Sequence, residues 1–241
     1  MTECQNCQTP LSGDYCGNCG QRNVDLDRPI WSLVAEVIKD TFEVDGRAWL
    51  TIKTLFRHPG MLTSEFLAGR RRKYTPPLRL YLVTSISFFV LVAWMAQSGV
   101  LLDPGQDPKF DAAVQAQFLS DDLPRLMFVL LPVFALLLKA TYSRRLYFDH
   151  LIFSIHLHTA GYVILALMLP LEDVANESVG LMIAQFVLLA YFLGYFVIAV
   201  QRVYASSWLV AALKSVAVLF GYLIVVSVAI ESTSNFLIIA D

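Results

Sequence analysis

Charge is scarce in this chain. Lys, Arg, Asp and Glu make up 16% of its 241 residues, with 18 basic side chains against 20 acidic ones. A net charge of -2 leaves no chain-wide positive field to hold a nucleic-acid backbone. Residues 1–27 repeat the pattern locally, where Arg22 stands against Glu3, Asp14, Asp25 and Asp27. No nucleic-acid partner is expected. A Gly-rich phosphate loop, a His-Glu-x-x-His helix and a Ser-His-Asp order are also missing. Histidine and cysteine are each limited to four positions. Their rarity makes their placement informative.

What stands in place of charge is apolar length. The chain is 56% hydrophobic, and its mean hydropathy of +0.58 lies outside the soluble globular range. A bilayer core of about 30 Å asks for about 20 apolar residues per helix. Residues 80–97, 123–142, 151–171, 179–200 and 208–230 meet or approach that length. The second is the weakest: Arg125 and Lys139 must snorkel to opposite interfaces, and Pro132 is expected to kink it. The first apolar run starts far from the amino terminus, so no cleavable signal peptide is expected.

Charge placement tests this count. Arg70, Arg71, Arg72, Lys73 and Arg79 precede the first span, Arg144 and Arg145 follow the second, and Arg202 follows the fourth. Lys214, inside the fifth, can reach the same side. The opposite loops hold Lys109, with Arg125 at one edge, amid Asp103, Asp107, Asp111, Asp121, Asp122, Glu172, Asp173 and Glu177. The positive-inside rule then predicts a cytoplasmic amino terminus and, after five spans, a periplasmic or extracellular carboxyl terminus.

All four cysteines fall in the first twenty residues, as Cys4-x2-Cys7-x8-Cys16-x2-Cys19. Two Cys-x-x-Cys knuckles supply the four thiolates, at about 2.3 Å, that a tetrahedral zinc ion needs. Gly17 and Gly20 stand where knuckle backbones often need positive φ. A disulfide clasp is the competing reading; it suits an exported domain, whereas a head facing the cytosol stays reduced.

Between this head and the first span lies an amphipathic stretch. Asp27 before Pro29 reads as a helix start, Ile30, Val34, Ile38 and Phe42 recur every four residues, and Gly46 breaks the pattern. A second helix carries Trp49, Ile52 and Phe56 on one stripe and stops at the turn His58-Pro59-Gly60. Thr63 or Ser64 is expected to cap a third, running to Gly69. The set reads as a helical layer on the cytoplasmic ends of the spans, as an interfacial membrane-surface layer, or as both. Arg70, Arg71, Arg72 and Lys73 beside the bilayer favour anionic lipid head groups, although basic residues before a span are also ordinary topology signals. The division expected is 1–25 ribbon, 26–75 interfacial helices and 76–241 transmembrane domain.

The third span opens with the other constellation. His150, His156 and His158 fall within nine residues, next to Asp149. At about 100° per residue, Asp149 and His156 lie nearly in line, and His150, Ser154 and His158 share a second stripe. His156 and His158 sit about 160° apart, so one helix cannot wrap all three histidines around one ion. His58 is the outside candidate and is expected to meet His150 at the cytoplasmic surface. Three readings stay open: interhelical hydrogen bonds that fix packing, a polar ligand or proton site, and a bound metal. Asp149 could set a histidine tautomer in either functional case.

The chain resembles a bacterial family of membrane proteins filed as a domain of unknown function. The resembling residues are Tyr15-Cys16-Gly17-Asn18-Cys19-Gly20-Gln21, then Thr54-Leu55-Phe56-Arg57-His58-Pro59-Gly60. Gly69-Arg70-Arg71-Arg72-Lys73-Tyr74, Pro76-Pro77-Leu78-Arg79-Leu80-Tyr81-Leu82 and the segment 149–158 complete the set. The resemblance implies a cytoplasmic zinc ribbon on an inner-membrane protein and brings no activity with it. A looser likeness, to the Yip1 group, is topological only.

Sequence alone therefore predicts an all-α membrane protein with five transmembrane helices behind amphipathic helices and a small zinc ribbon. The function expected is non-enzymatic: an adaptor or scaffold whose ribbon docks a cytosolic or membrane partner. The rival is a membrane enzyme or transporter centred on Asp149, His150, His156 and His158.

Overall fold

A computed structural model describes residues 3–23, 47–98, 112–171 and 178–240, with side chains omitted for 112–114 and 234–240. The helix expected around Ile30–Phe42 lies outside the described residues. Within them the fold is helical: two isolated antiparallel bridges in the cysteine head are the extended pairings, and no strand forms.

Two short helices come first, α1 (Ala48–Arg57) and α2 (Met61–Leu67). Gly60, at φ 76°, starts α2 with no side-chain cap. A Cβ there would also lie 2.8 Å from the carbonyl oxygen of Ala199, so shape and backbone sign both demand glycine. The expected cap at Thr63 or Ser64 is therefore corrected: Thr63 lies inside the helix and is buried. Gly69, at φ 78°, ends α2. Arg70 N–H reaches Glu65 O at 2.9 Å and Gly69 N–H reaches Phe66 O at 3.0 Å, the paired bonds of a Schellman ending. Thr51 ties α1 forward, its hydroxyl accepting from the N–H of Thr75 at 2.9 Å.

Five helices are long and apolar enough to cross a membrane. Helix α3 (Pro77–Gln97) starts with Pro77 in its first turn, where a missing N–H costs nothing. Helix α4 (Ala112–Gln117) runs through a π-helical turn at Phe118–Asp122 into α5 (Leu123–Thr141). The second apolar helix is thus Gln115–Thr141, longer than its sequence pattern suggested. Helix α6 (Tyr147–Met168) begins one turn earlier than expected. Helices α7 (Val179–Tyr204) and α8 (Trp208–Ala240) both extend past their expected ends.

Helix α6 is the hub. Its apolar window is 61% buried, against 17% for that of α8, and α1, α2, α3, α5 and α7 all pack on it. Helix α8 closes the bundle against α5 and α7. Burial on every side explains why α6 tolerates polar side chains: neighbours, not lipid, surround them.

One end of the bundle is sealed by cations. Lys139 Nζ donates to the carbonyls of Ser143 and Arg145, both at 2.6 Å, and Lys214 Nζ donates to that of Thr141 at 2.7 Å. Arg145 donates to Val203 O at 2.9 Å, and Arg202 to Pro59 O. The Thr141 and Val203 carbonyls lie in the last turns of α5 and α7, where carbonyls lack intrahelical donors and carry partial negative charge, which Lys214 and Arg145 satisfy. Lys139 lies in the last turn of the second span, whereas Arg125, paired with Asp122 at 3.4 Å, lies well inside the helix that begins at Gln115.

Candidate metal centre

The cysteine head is two copies of one knuckle, offset by twelve residues. Cys4 N–H bonds Thr9 O at 2.9 Å, and Cys16 N–H bonds Gln21 O at 2.8 Å. Gln8 N–H returns to Cys4 O at 2.8 Å, as Gly20 N–H does to Cys16 O at 2.9 Å. The bridges Glu3–Pro10 and Tyr15–Arg22 flank them equivalently. Positive φ falls at matching places, 61° at Gln8 and 69° at Gly20. Gly17, flagged with Gly20 from the sequence, is not among the positive-φ glycines.

This repeat brings the sulfurs together. Cys4 Sγ lies 3.6 Å from Cys19 Sγ, and Cys7 Sγ lies 3.5 Å from Cys16 Sγ. All four sulfurs lie within 4.8 Å of one another. Thiolates at about 2.3 Å from a tetrahedral ion sit about 3.8 Å apart, so the set fits one metal ion. A disulfide needs sulfurs about 2 Å apart, and all four cysteines are free thiols. Cys4 and Cys16 are buried, while Cys7 and Cys19 are partly covered.

Their acidities differ. The Thr9 hydroxyl, followed by the Thr9 backbone, pulls the Cys7 thiol down to about 6. Burial pushes Cys19 up to about 11. Four thiolates cannot share this volume without a counter-charge, and a divalent cation supplies it.

The head is seated on the turn that follows α2. Gln21 Nε2 donates to Gly69 O at 2.6 Å, and its Oε1 accepts from the N–H groups of Arg71 and Arg72 at 3.0 and 3.2 Å. Arg72 Nε donates to Cys19 O at 3.1 Å. Gln5 packs so closely over Gly69 that a Cβ there would overlap its side chain. Gln5, Gln21 and Gly69 were not singled out as site residues by sequence reasoning. Gln21 reaches Gly69 across 48 residues and Gln5 reaches it from further back in the chain, pairings for which no local pattern exists.

The histidines of α6 do not converge. His150 Nδ1 meets Tyr204 Oη of α7 at 2.7 Å, His156 Nδ1 meets Thr63 Oγ1 of α2 at 2.9 Å, and His158 Nε2 meets Tyr222 Oη of α8 at 3.0 Å. Each ring hydrogen-bonds a hydroxyl of a different helix. His158 Nδ1 also lies 2.9 Å from Ser154 O, as the shared stripe predicts. Asp149 lies 3.9 Å from Arg145. His58 lines, with His156, Thr63 and Tyr195, a cavity of about 10 Å³, room for one water. His58 is thus beside His156, whereas His150 is held by Tyr204.

Fold and site together define a multi-pass membrane protein with an amino-terminal cysteine cluster fit for a metal ion. Residues 45–89 match the profile of a family described as "Protein of unknown function (DUF3667)". That stretch holds α1, α2, the turn that seats the cysteine head, and the first half of α3. No curated protein and no solved structure matches the chain.

Proposed function

We propose that this chain is a membrane-anchored zinc-ribbon adaptor. Cys4, Cys7, Cys16 and Cys19 hold one zinc ion, which cross-links a segment too small to keep its own core. An all-sulfur set selects soft or borderline metals over magnesium or calcium, and a cysteine-only tetrahedral site suits zinc. The membrane is the bacterial cytoplasmic membrane, with the ribbon in the reducing cytosol, in keeping with the loop charges.

The observation that carries this reading is closure. Four sulfurs within 4.8 Å of one another would fill all four corners of a tetrahedral ion, leaving no open position at which a substrate could bind the metal. The ion's contribution is structural, and the knob it orders has a docked side and a free one. Gln21 and Arg72 hold the docked side on the protein's own turn. The free side presents Tyr15, 62% exposed, an aromatic of the kind enriched in protein interfaces.

A photo-crosslinking amino acid in place of Tyr15 tests the reading in living cells. A discrete adduct is expected with the otherwise wild-type chain and its loss with Cys16→Ser. The same adduct from both chains contradicts an adaptor that needs the folded ribbon.

A further inference from the structure

Trp49 is 77% exposed, more than any other large apolar side chain among the described residues. It stands on α1 with Leu50, Lys53 and Arg57, all exposed. On a helix turning about 100° per residue these four fall within an arc of about 100°. The buried side of α1 is Thr51, Thr54 and Leu55, and the helix contains no acidic residue. An indole, an isobutyl group and two cations thus share one outward face.

The carboxyl end of α1 is tied to α7. Tyr191 Oη donates to Phe56 O, next to the end of α1, at 2.7 Å. Tyr191 is itself 41% exposed, on the side of α7 that also exposes Val187 and Ile198. On a spanning helix such a side meets the bilayer, so α1 is fastened at its carboxyl end to a lipid-facing surface. Its cations are also available. Among the described residues, neither Lys53 nor Arg57 has an ion-pair partner, whereas the run 70–73 is engaged. Arg70 pairs with Glu65, Arg71 covers Phe66, Arg72 holds Cys19 O and Lys73 covers Tyr74.

We propose that the outer face of α1 is a docking surface for anionic phospholipid head groups. The Trp49 indole seats at head-group level, where such rings concentrate. The Lys53 and Arg57 stems lie along apolar surface while their charges meet lipid phosphates. The inference rests on the membrane placement of the five-helix domain and is independent of the ribbon's role.

The test uses the full chain in nanodiscs of equal parts phosphatidylcholine and phosphatidylglycerol. Retained lipid is read by native mass spectrometry, and Arg125→Gln, a cation in the second span beside Asp122, serves as control. A chain that fails to enter nanodiscs defeats the membrane placement itself. Once it enters, Lys53→Gln/Arg57→Gln is expected to lower the preference for phosphatidylglycerol on the order of tenfold, and the control to leave it unchanged. Wild-type preference in the double variant overturns the proposal. Trp49→Phe supplies a second readout. It should remove a fluorescence component quenched by phosphatidylcholine brominated near the head group. A Trp49 component quenched by aqueous acrylamide and untouched by brominated lipid means that α1 faces solvent or a soluble protein, and overturns the proposal.

Discussion

Gln21 grips Gly69 across the fold: its amide donates to the Gly69 carbonyl at 2.6 Å while its oxygen accepts two N–H groups just beyond. One side chain therefore joins the second cysteine knuckle to the basic turn that leads into the first span. Gln21→Ala leaves two N–H groups and a carbonyl without these partners, at a cost of about 1–3 kcal/mol to docking. Hydrogen exchange should speed up at the amides of Arg71 and Arg72, with bound metal unchanged. Unchanged protection there contradicts the coupling.

Cys16→Ser removes one corner of the metal site and should melt the head alone. Metal binding in such small modules is folding free energy. The amides of Cys4, Cys16 and Gly20, now bonded within the knuckles, should lose protection. Those of α6, buried at the hub, should keep theirs.

His156→Ala and Thr63→Ala should each lower thermal stability and should not add their effects. Their hydrogen bond joins α6 to α2 at 2.9 Å, and such bonds within membrane proteins are worth about 0.6 kcal/mol, rarely above about 1.7. A double-mutant cycle measures the coupling. Additive losses contradict a packing bond between them.

Gly60→Ala should destabilise the bundle more than an exposed substitution does. The backbone there is left-handed, and the added carbon would crowd Ala199. A melting-temperature drop of about 2 °C or more is expected in detergent, from a loss of at least about 1 kcal/mol. Melting unchanged by the substitution rules out tight packing of this turn on α7.

Much of this was legible in the sequence because the governing interactions are local. Each Cys-x-x-Cys knuckle carries its own ligand spacing, and each span carries its own apolar length. The divergence of His156 from His158 followed from helix geometry alone. Less legible was which face of α1 packs. Trp49, Ile52 and Phe56 share a stripe, yet Trp49 points outward while Thr51, Thr54 and Leu55 are buried. Beside a bilayer, apolar character does not separate the packed face from the lipid face. The start of α2 was misplaced because a left-handed glycine against Ala199, and not a hydroxyl, begins that helix.

Zinc analysis of the purified full-length chain bears most directly on the central claim. One zinc per wild-type chain is predicted, falling to none with Cys16→Ser while the variant still fractionates as an integral membrane protein. A metal-free wild-type chain whose intact mass reveals two disulfides would contradict the account.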